Sequence, residues 1–206
     1  MGMCILSGLA RRWRFFCGSR RDRLPLAVSD TISPRPLVRP EQLADIGLFG
    51  GLSEEVLREL AATLDASLFD PGAVVMREGE QAREMFVVLS GELEVLRRSK
   101  GGTEGRVALL GPGSWVGEMS ILDVQPRSAT VRTLAPAILL CIKGEDLDRL
   151  YRRDMRAYLL VVLNIARELS RRLRVADGMI AGFLSAILDD NMGFHPGSKP
   201  TPPSQG

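Results

Sequence analysis

The chain has 206 residues, 45% of them hydrophobic and 25% charged, with a formal net charge of +2. That suffices for one substantial domain with extensions or two small ones, and so balanced a charge does not by itself mark a nucleic-acid binder. Cys4, Cys17 and Cys141 lack paired spacing and the single histidine, His195, lies near the C-terminus, which points to a reducing cytosol and removes most zinc and haem sites.

Residues 1–39 carry six arginines (Arg11, Arg12, Arg14, Arg20, Arg21, Arg23) against Asp22, with Trp13, Phe15 and Phe16 interleaved. This reads as a disordered basic arm, or a start codon placed too early; contact with an anionic surface, membrane or nucleic acid, is the alternative. The apolar Met3–Ala10 stretch precedes the arginines, so it does not form a secretory signal. No hydrophobic run follows Arg11-Arg12, and Leu6 breaks the myristoylation pattern. Pro34, Pro36 and Pro40 mark a linker. The expected division is an arm and linker over 1–39, a domain over 40–190 and a disordered tail over 191–206.

Helical periodicity begins at Glu41 with Leu43, Ile46 and Leu48. Ser53 is the expected N-cap of a second helix, with Glu54 and Glu55 in its first turn and Val56, Leu57 and Leu60 on its apolar face. After Asp65 the pattern becomes that of strands. Asp70-Pro71-Gly72 turns into Ala73–Met76; Met85–Leu89 and Leu93–Leu96 flank a reversal at Ser90-Gly91-Glu92. Gly101–Gly105 reads as a hairpin tip before Val107–Leu110. Gly111-Pro112-Gly113 turns again, and Ala129–Leu134 and Ala137–Ile142 complete the set. Short strands with regular turn glycines predict a β-sandwich or jelly roll. No stretch is apolar for long enough to span a membrane.

Gly113–Arg132 carries the chemistry. Gly117-Glu118 is followed by an apolar turn that includes Met119, then by Pro126-Arg127-Ser128 and a β-branched run. A cyclic nucleotide presents one phosphate charge, one free ribose hydroxyl (the 2′) and a base. Glu118 can accept from the hydroxyl, Arg127 can fork onto the phosphate, and Ser128 can add a neutral donor. A short helix starting near Glu118 would aim unpaired N–H groups at the anion, and Gly117 would let the backbone come close. Arg127 is expected at the pocket rim. The segment resembles the phosphate-binding cassette of the cyclic-nucleotide-binding domain family, which includes bacterial catabolite activators and kinase regulatory subunits. Val116 departs from the aromatic residue usual before Gly-Glu. Phe69-Asp-Pro-Gly, Gly79-Glu80 and Phe86–Leu93 also resemble that family's β-roll, so the likeness covers about residues 45–190.

Other motifs fail: Gly111-x-Gly113-x-x-x-Gly117 is one residue off the dinucleotide fingerprint, and Gly101–Gly105 lacks the Lys-Ser/Thr of a phosphate loop. With no nucleophile elbow and no metal-ligand cluster, a catalytic role has no residues to carry it.

A short helix, Glu145–Arg152, precedes a long one from about Met155 to Leu188. Val162, Ala166, Leu169, Leu173, Ala176, Ile180, Phe183 and Ile187 alternate spacings of four and three, a heptad seam. Such a stripe suits either the β-roll or a second helix; the resemblance favours a parallel homodimer. Arg171–Val175 resembles the turn that, in catabolite activators, precedes a Thr-Ser pair contacting the base. Here Ala176-Asp177 follow, and Asp177 is either a base contact, accepting from adenine or guanine donors, or a solvated helix residue. In the family's transcription factors a helix-turn-helix follows; only Asp189–Gly206 remain here, so no direct DNA binding is expected.

The reading is therefore an α+β chain: an antiparallel β-roll with short N-terminal helices and a long C-terminal dimerisation helix. It is a non-enzymatic cytoplasmic sensor of cAMP or cGMP that signals through its last helix to an unidentified downstream protein. The site residues are Gly117, Glu118, Met119, Arg127, Ser128 and Asp177. The alternatives are a dimeric adaptor with a relic pocket, or a transcription-regulator relative working through a separate DNA-binding subunit.

Overall fold

The computed structural model describes residues 36–99 and 101–192. The arginine-rich stretch of the arm and the end of the tail lie outside the described residues. A five-residue helix α1 (Pro40–Ala44) and a 3₁₀ turn (Gly47–Phe49) lead into α2 (Glu54–Thr63). The expected cap is present: the Ser53 hydroxyl accepts from the Val56 N–H at 3.4 Å.

Among the described residues eight strands follow: β1 (Asp65–Phe69), β2 (Val74–Met76), β3 (Glu84–Ser90), β4 (Leu93–Arg98), β5 (Glu104–Leu110), β6 (Trp115–Val116), β7 (Thr130–Thr133) and β8 (Ala137–Lys143). They form two antiparallel four-stranded sheets, ordered β1-β8-β3-β6 and β2-β7-β4-β5. The hairpin tip expected at 101–105 is shorter, because β5 already starts at Glu104. Gly91 makes the reversal into β4 with φ 90°. A Cβ there would stand 2.6 Å from that of Ala137, so no other residue fits.

Strand β3 reads as an unbroken apolar run because the first sheet is covered on both faces. Pleating sends Met85 and Val87 to one side, where they join Leu140 and Ile142 of β8 under Leu43, Leu48, Leu57 and Leu60. Phe86 and Val88 point the other way and meet Val75, Leu93, Val131 and Leu139 between the sheets. Each of these fully buried side chains contributes about 1.5–3 kcal/mol of transfer free energy. On the outer face of the second sheet Arg132 Nε donates to Glu94 at 2.8 Å across the β4–β7 ladder.

Helix α3 (Glu118–Leu122) interrupts the strands, and α4 (Gly144–Arg153) and α5 (Met155–Met192) complete the described elements. The start of α5 packs on the first sheet's helical layer through Ala157, Val161 and Ile165. Asn164 pins it, donating to the carbonyls of Leu48 at 3.1 Å and Gly50 at 3.0 Å. The docking stripe is thus offset from the heptad seam. On the seam, Val162 and Leu169 are half-buried, whereas Leu173, Ile180, Phe183 and Ile187 are exposed. Among the described residues no helix is long and apolar enough to cross a membrane.

Candidate functional site

A cavity of about 340 Å³ opens between the inner face of the second sheet and the segment 116–129, within the range of small-ligand sites. Val95, Ala108, Leu110 and Val131 form its apolar floor; Gly117, Glu118, Met119, Arg127, Ser128 and Arg172 are among the residues of its wall. Five of the six site residues expected from the sequence therefore meet in one place. Asp177 does not: it is exposed on α5 and lies outside this lining.

Gly117 is the N-cap of α3 and holds φ at 91°, in the left-handed region. A Cβ there would lie 2.6 Å from Arg127 Nη1 and 3.0 Å from the Glu84 carbonyl, so both backbone angle and space require glycine. Helix α3 is only five residues long, which limits what its dipole adds to the site.

Arg127 is not at a rim, as the sequence led us to expect. Its side chain is 2% exposed. Nη1 donates to the Glu84 carbonyl at 2.6 Å, the Ser120 hydroxyl at 2.7 Å and the Gly117 carbonyl at 3.3 Å. Reciprocal backbone bonds of 2.9 Å to Gly79 and Glu80 hold its main chain, which explains the Gly-Glu turn noted there. The guanidinium bolts the cassette to β3 and cannot lie on the surface. Its Nη2 stands 3.8 Å from the Glu84 carboxylate, and its Nε is buried without a partner. Burial lowers its pKa, with Glu84 opposing. One edge of the fork is thus committed to the fold, while Nε on the other has no acceptor, a rare state for a buried donor.

Glu118 is 3% exposed. Burial raises its pKa above the ordinary 4.5, and the nearby Arg172 opposes that rise. Arg172 Nη1 donates to Glu118 Oε1 at 3.1 Å, Nη2 to the Trp115 carbonyl at 2.9 Å, and Nε to Glu168 at 3.2 Å. This arginine ties α5 to the cassette. The sequence reading passed over its role, because a charge run on a helix does not reveal which member reaches inward. Ser128 is exposed, its hydroxyl 3.8 Å from the Met119 sulfur, and is available to a ligand. Cys141, half-buried at β8, has its thiol pushed up to about 12 by burial, which makes it a poor nucleophile. Among the described residues no group of three or more His, Cys, Asp or Glu could hold a metal ion.

Together the wall offers a guanidinium and a hydroxyl for an anion, a buried carboxylate for a hydroxyl donor, and an apolar floor. Residues 67–154 match the family described as Cyclic nucleotide-binding domain. The chain is 37% identical over 130 residues to the cyclic AMP receptor protein of Thermus thermophilus, covering 63% of this chain and 58% of that one. The crystal structure of the Thermus thermophilus catabolite activator protein superposes with a TM-score of 0.60 at 36% identity, over 68% of this chain and 63% of that one. A cyclic nucleotide-binding domain from Methylobacillus flagellatus gives 0.63 at 25% identity, over 69% of this chain and 80% of that one. The chain spans 58% and 62% of the length of the first two curated relatives it matches.

Proposed function

From a chain whose residues 67–154 belong to the cyclic nucleotide-binding domain family, we infer a sensor that binds cAMP or cGMP and signals through α5. The observation that carries this reading is the pairing of a buried Arg127, whose Nε has no acceptor, with a buried Glu118 on one wall of a nucleotide-sized cavity. The phosphate would take the Nε side of Arg127 and the Ser128 hydroxyl. The ribose 2′-hydroxyl would donate to Glu118, and the base would lie toward Val95, Ala108 and Leu110. Relatives whose names specify cyclic AMP or cGMP support this ligand class.

Signalling follows from Arg172, which shares Glu118 with the ligand's hydroxyl. A nucleotide that takes part of the carboxylate's hydrogen-bonding capacity changes the relative free energy of α5 positions, and so shifts their populations. The unit that does this is residues 40–190, working as a parallel homodimer through the exposed seam and read by a downstream protein. Asp177 belongs to the site only if the dimer brings it to a pocket. Isothermal titration of the chain with cAMP and with cGMP tests the reading: saturable one-per-chain binding of either supports it, and no heat with both refutes it.

A further inference from the structure

The last part of α5 is more apolar than a two-stranded seam can use. From Gly178 to Leu188 the helix carries no charge. Met179, Ile180, Phe183, Leu184, Ile187 and Leu188 are all exposed, by 41–69%. At 100° per residue these six side chains cover about half the helix circumference. Only small residues (Gly178, Ala181, Gly182, Ser185, Ala186) occupy the opposite side. The seam of the parallel dimer accounts for Ile180, Phe183 and Ile187. Met179 and Leu184 fall at the flanking g and e positions, where two-stranded coils usually place charges, and Leu188 lies beyond them. A helix this broadly apolar belongs inside a bundle.

The order of the residues selects the partner. Read backwards about the point between Ala181 and Gly182, the segment nearly repeats its own pattern: Val175 matches Leu188, Ala176 matches Ile187, Met179 matches Leu184, and Ile180 matches Phe183. An antiparallel copy therefore presents the same layers at the same heights, large over small at Ala176 and Ile187. It also brings the exposed Arg174 level with position 189, an aspartate, so the basic end of one helix meets the acidic end of the other. We propose that Val175–Leu188 is a second self-association surface, forming an antiparallel four-helix bundle that joins two parallel dimers into a tetramer. The occupant is a second dimer of this chain. Two perpendicular two-fold axes would relate the four chains, a common closed symmetry. The residues outside the seam leave roughly 300 Å² of apolar surface per helix, so four helices would cover roughly 1,200 Å², the lower end of a specific interface.

This inference rests on the parallel dimer proposed above but not on nucleotide binding. Its test is the mass of the full chain by light scattering, with co-expressed Ala176→Cys and Ile187→Cys chains tagged to differ in size. Four chains per particle and a mixed 176–187 disulfide are expected. In a parallel pair these positions stand 11 residues, about 16 Å, apart along the axis, while a disulfide needs Cα atoms within about 7 Å. Met179→Glu with Leu184→Glu, both off the seam, should give dimers that keep full nucleotide affinity. A two-chain particle with only 176–176 and 187–187 disulfides keeps the parallel seam and overturns the bundle. A two-chain particle with the mixed disulfide overturns both readings. A wild-type tetramer without the mixed disulfide, or one that survives the double glutamate variant, also overturns the bundle.

Discussion

Replacing Arg127 with alanine should weaken the fold and the binding by separate amounts. The guanidinium satisfies the Glu84 carbonyl, the Ser120 hydroxyl and the Gly117 carbonyl, at 2.6, 2.7 and 3.3 Å. Its loss strands those acceptors and leaves Glu84 without its cation. A buried acceptor left unpaired costs about 1–3 kcal/mol, and breaking a buried charge pair costs about 3–5 kcal/mol. Because these terms overlap and some acceptors also have sheet partners or water, we expect a net loss of about 3–4 kcal/mol against a total stability of about 5–15 kcal/mol. Nucleotide affinity should fall by a further 2–4 kcal/mol or so, about 30- to 1,000-fold, measured where the variant is still folded. Arg127→Lys separates the two effects: it restores a charge and part of the scaffold but not the fork. It should therefore recover more stability than affinity. Urea unfolding without ligand and isothermal titration measure the two quantities. An alanine variant as stable as the wild type would refute the scaffold role. Wild-type affinity in both variants would refute the phosphate contact.

Glu118→Gln should cost about 1–3 kcal/mol of affinity for the ribonucleotide and less for the 2′-deoxy analogue, which lacks the donor; equal losses in titration would remove the ribose contact. The raised pKa of Glu118 means the folded state holds its proton more tightly than the unfolded chain. Its contribution to stability is complete below about pH 4.5 and is lost as pH rises through the raised value. The stability difference between wild type and Glu118→Gln should therefore change over that window, and a constant difference in urea midpoints would contradict the burial argument. Leu169→Glu with Leu173→Glu should break the parallel seam while sparing the β-sheet circular dichroism, because ionised carboxylates there lose their hydration; an unchanged particle mass places the dimer contact elsewhere. A chain beginning at Pro40 should bind nucleotide as the full chain does, and a large loss in titration would put the arm against the pocket.

The fold was legible where one force dominates. Strand β3 and its partners showed as apolar runs, and Ser53 as a cap, because burial and capping act locally. The cassette was legible because Gly117, Glu118, Arg127 and Ser128 are close in sequence, and Gly117 is required locally by its left-handed backbone angle. The depth of Arg127 was not, since it depends on the Glu84 carbonyl, 43 positions away in the chain. Arg172 was hidden for the same reason: its two acceptors on the cassette, Glu118 and Trp115, are 54 and 57 positions away. Helical periodicity gave the seam, yet the docking face is set by Ala157, Val161 and Ile165, one step round the helix. Two apolar stripes on one helix follow from the same 3.6-residue period, and only packing decides which meets the core.

The strength of the proposed switch follows from the same contacts. Glu118 is deeply buried, but the Arg172 side chain is 36% exposed, so solvent discounts their pairing. Its worth is about 1–2 kcal/mol, at the lower end for a charged hydrogen bond. Moving a two-state helix from 1:99 to 99:1 takes about 5.5 kcal/mol of differential affinity. One Arg172–Glu118 contact therefore moves the equilibrium by roughly tenfold and cannot throw the helix over alone. Two routes raise that figure. A parallel dimer that moves as one unit has two such contacts, so their effects on the shared equilibrium add. Repacking of Leu169, half-buried where α5 leaves the core, would add apolar transfer energy of the same order. A sensor built this way depends on its seam: without the second helix, nucleotide binding would bias α5 only weakly, whatever the affinity of the pocket.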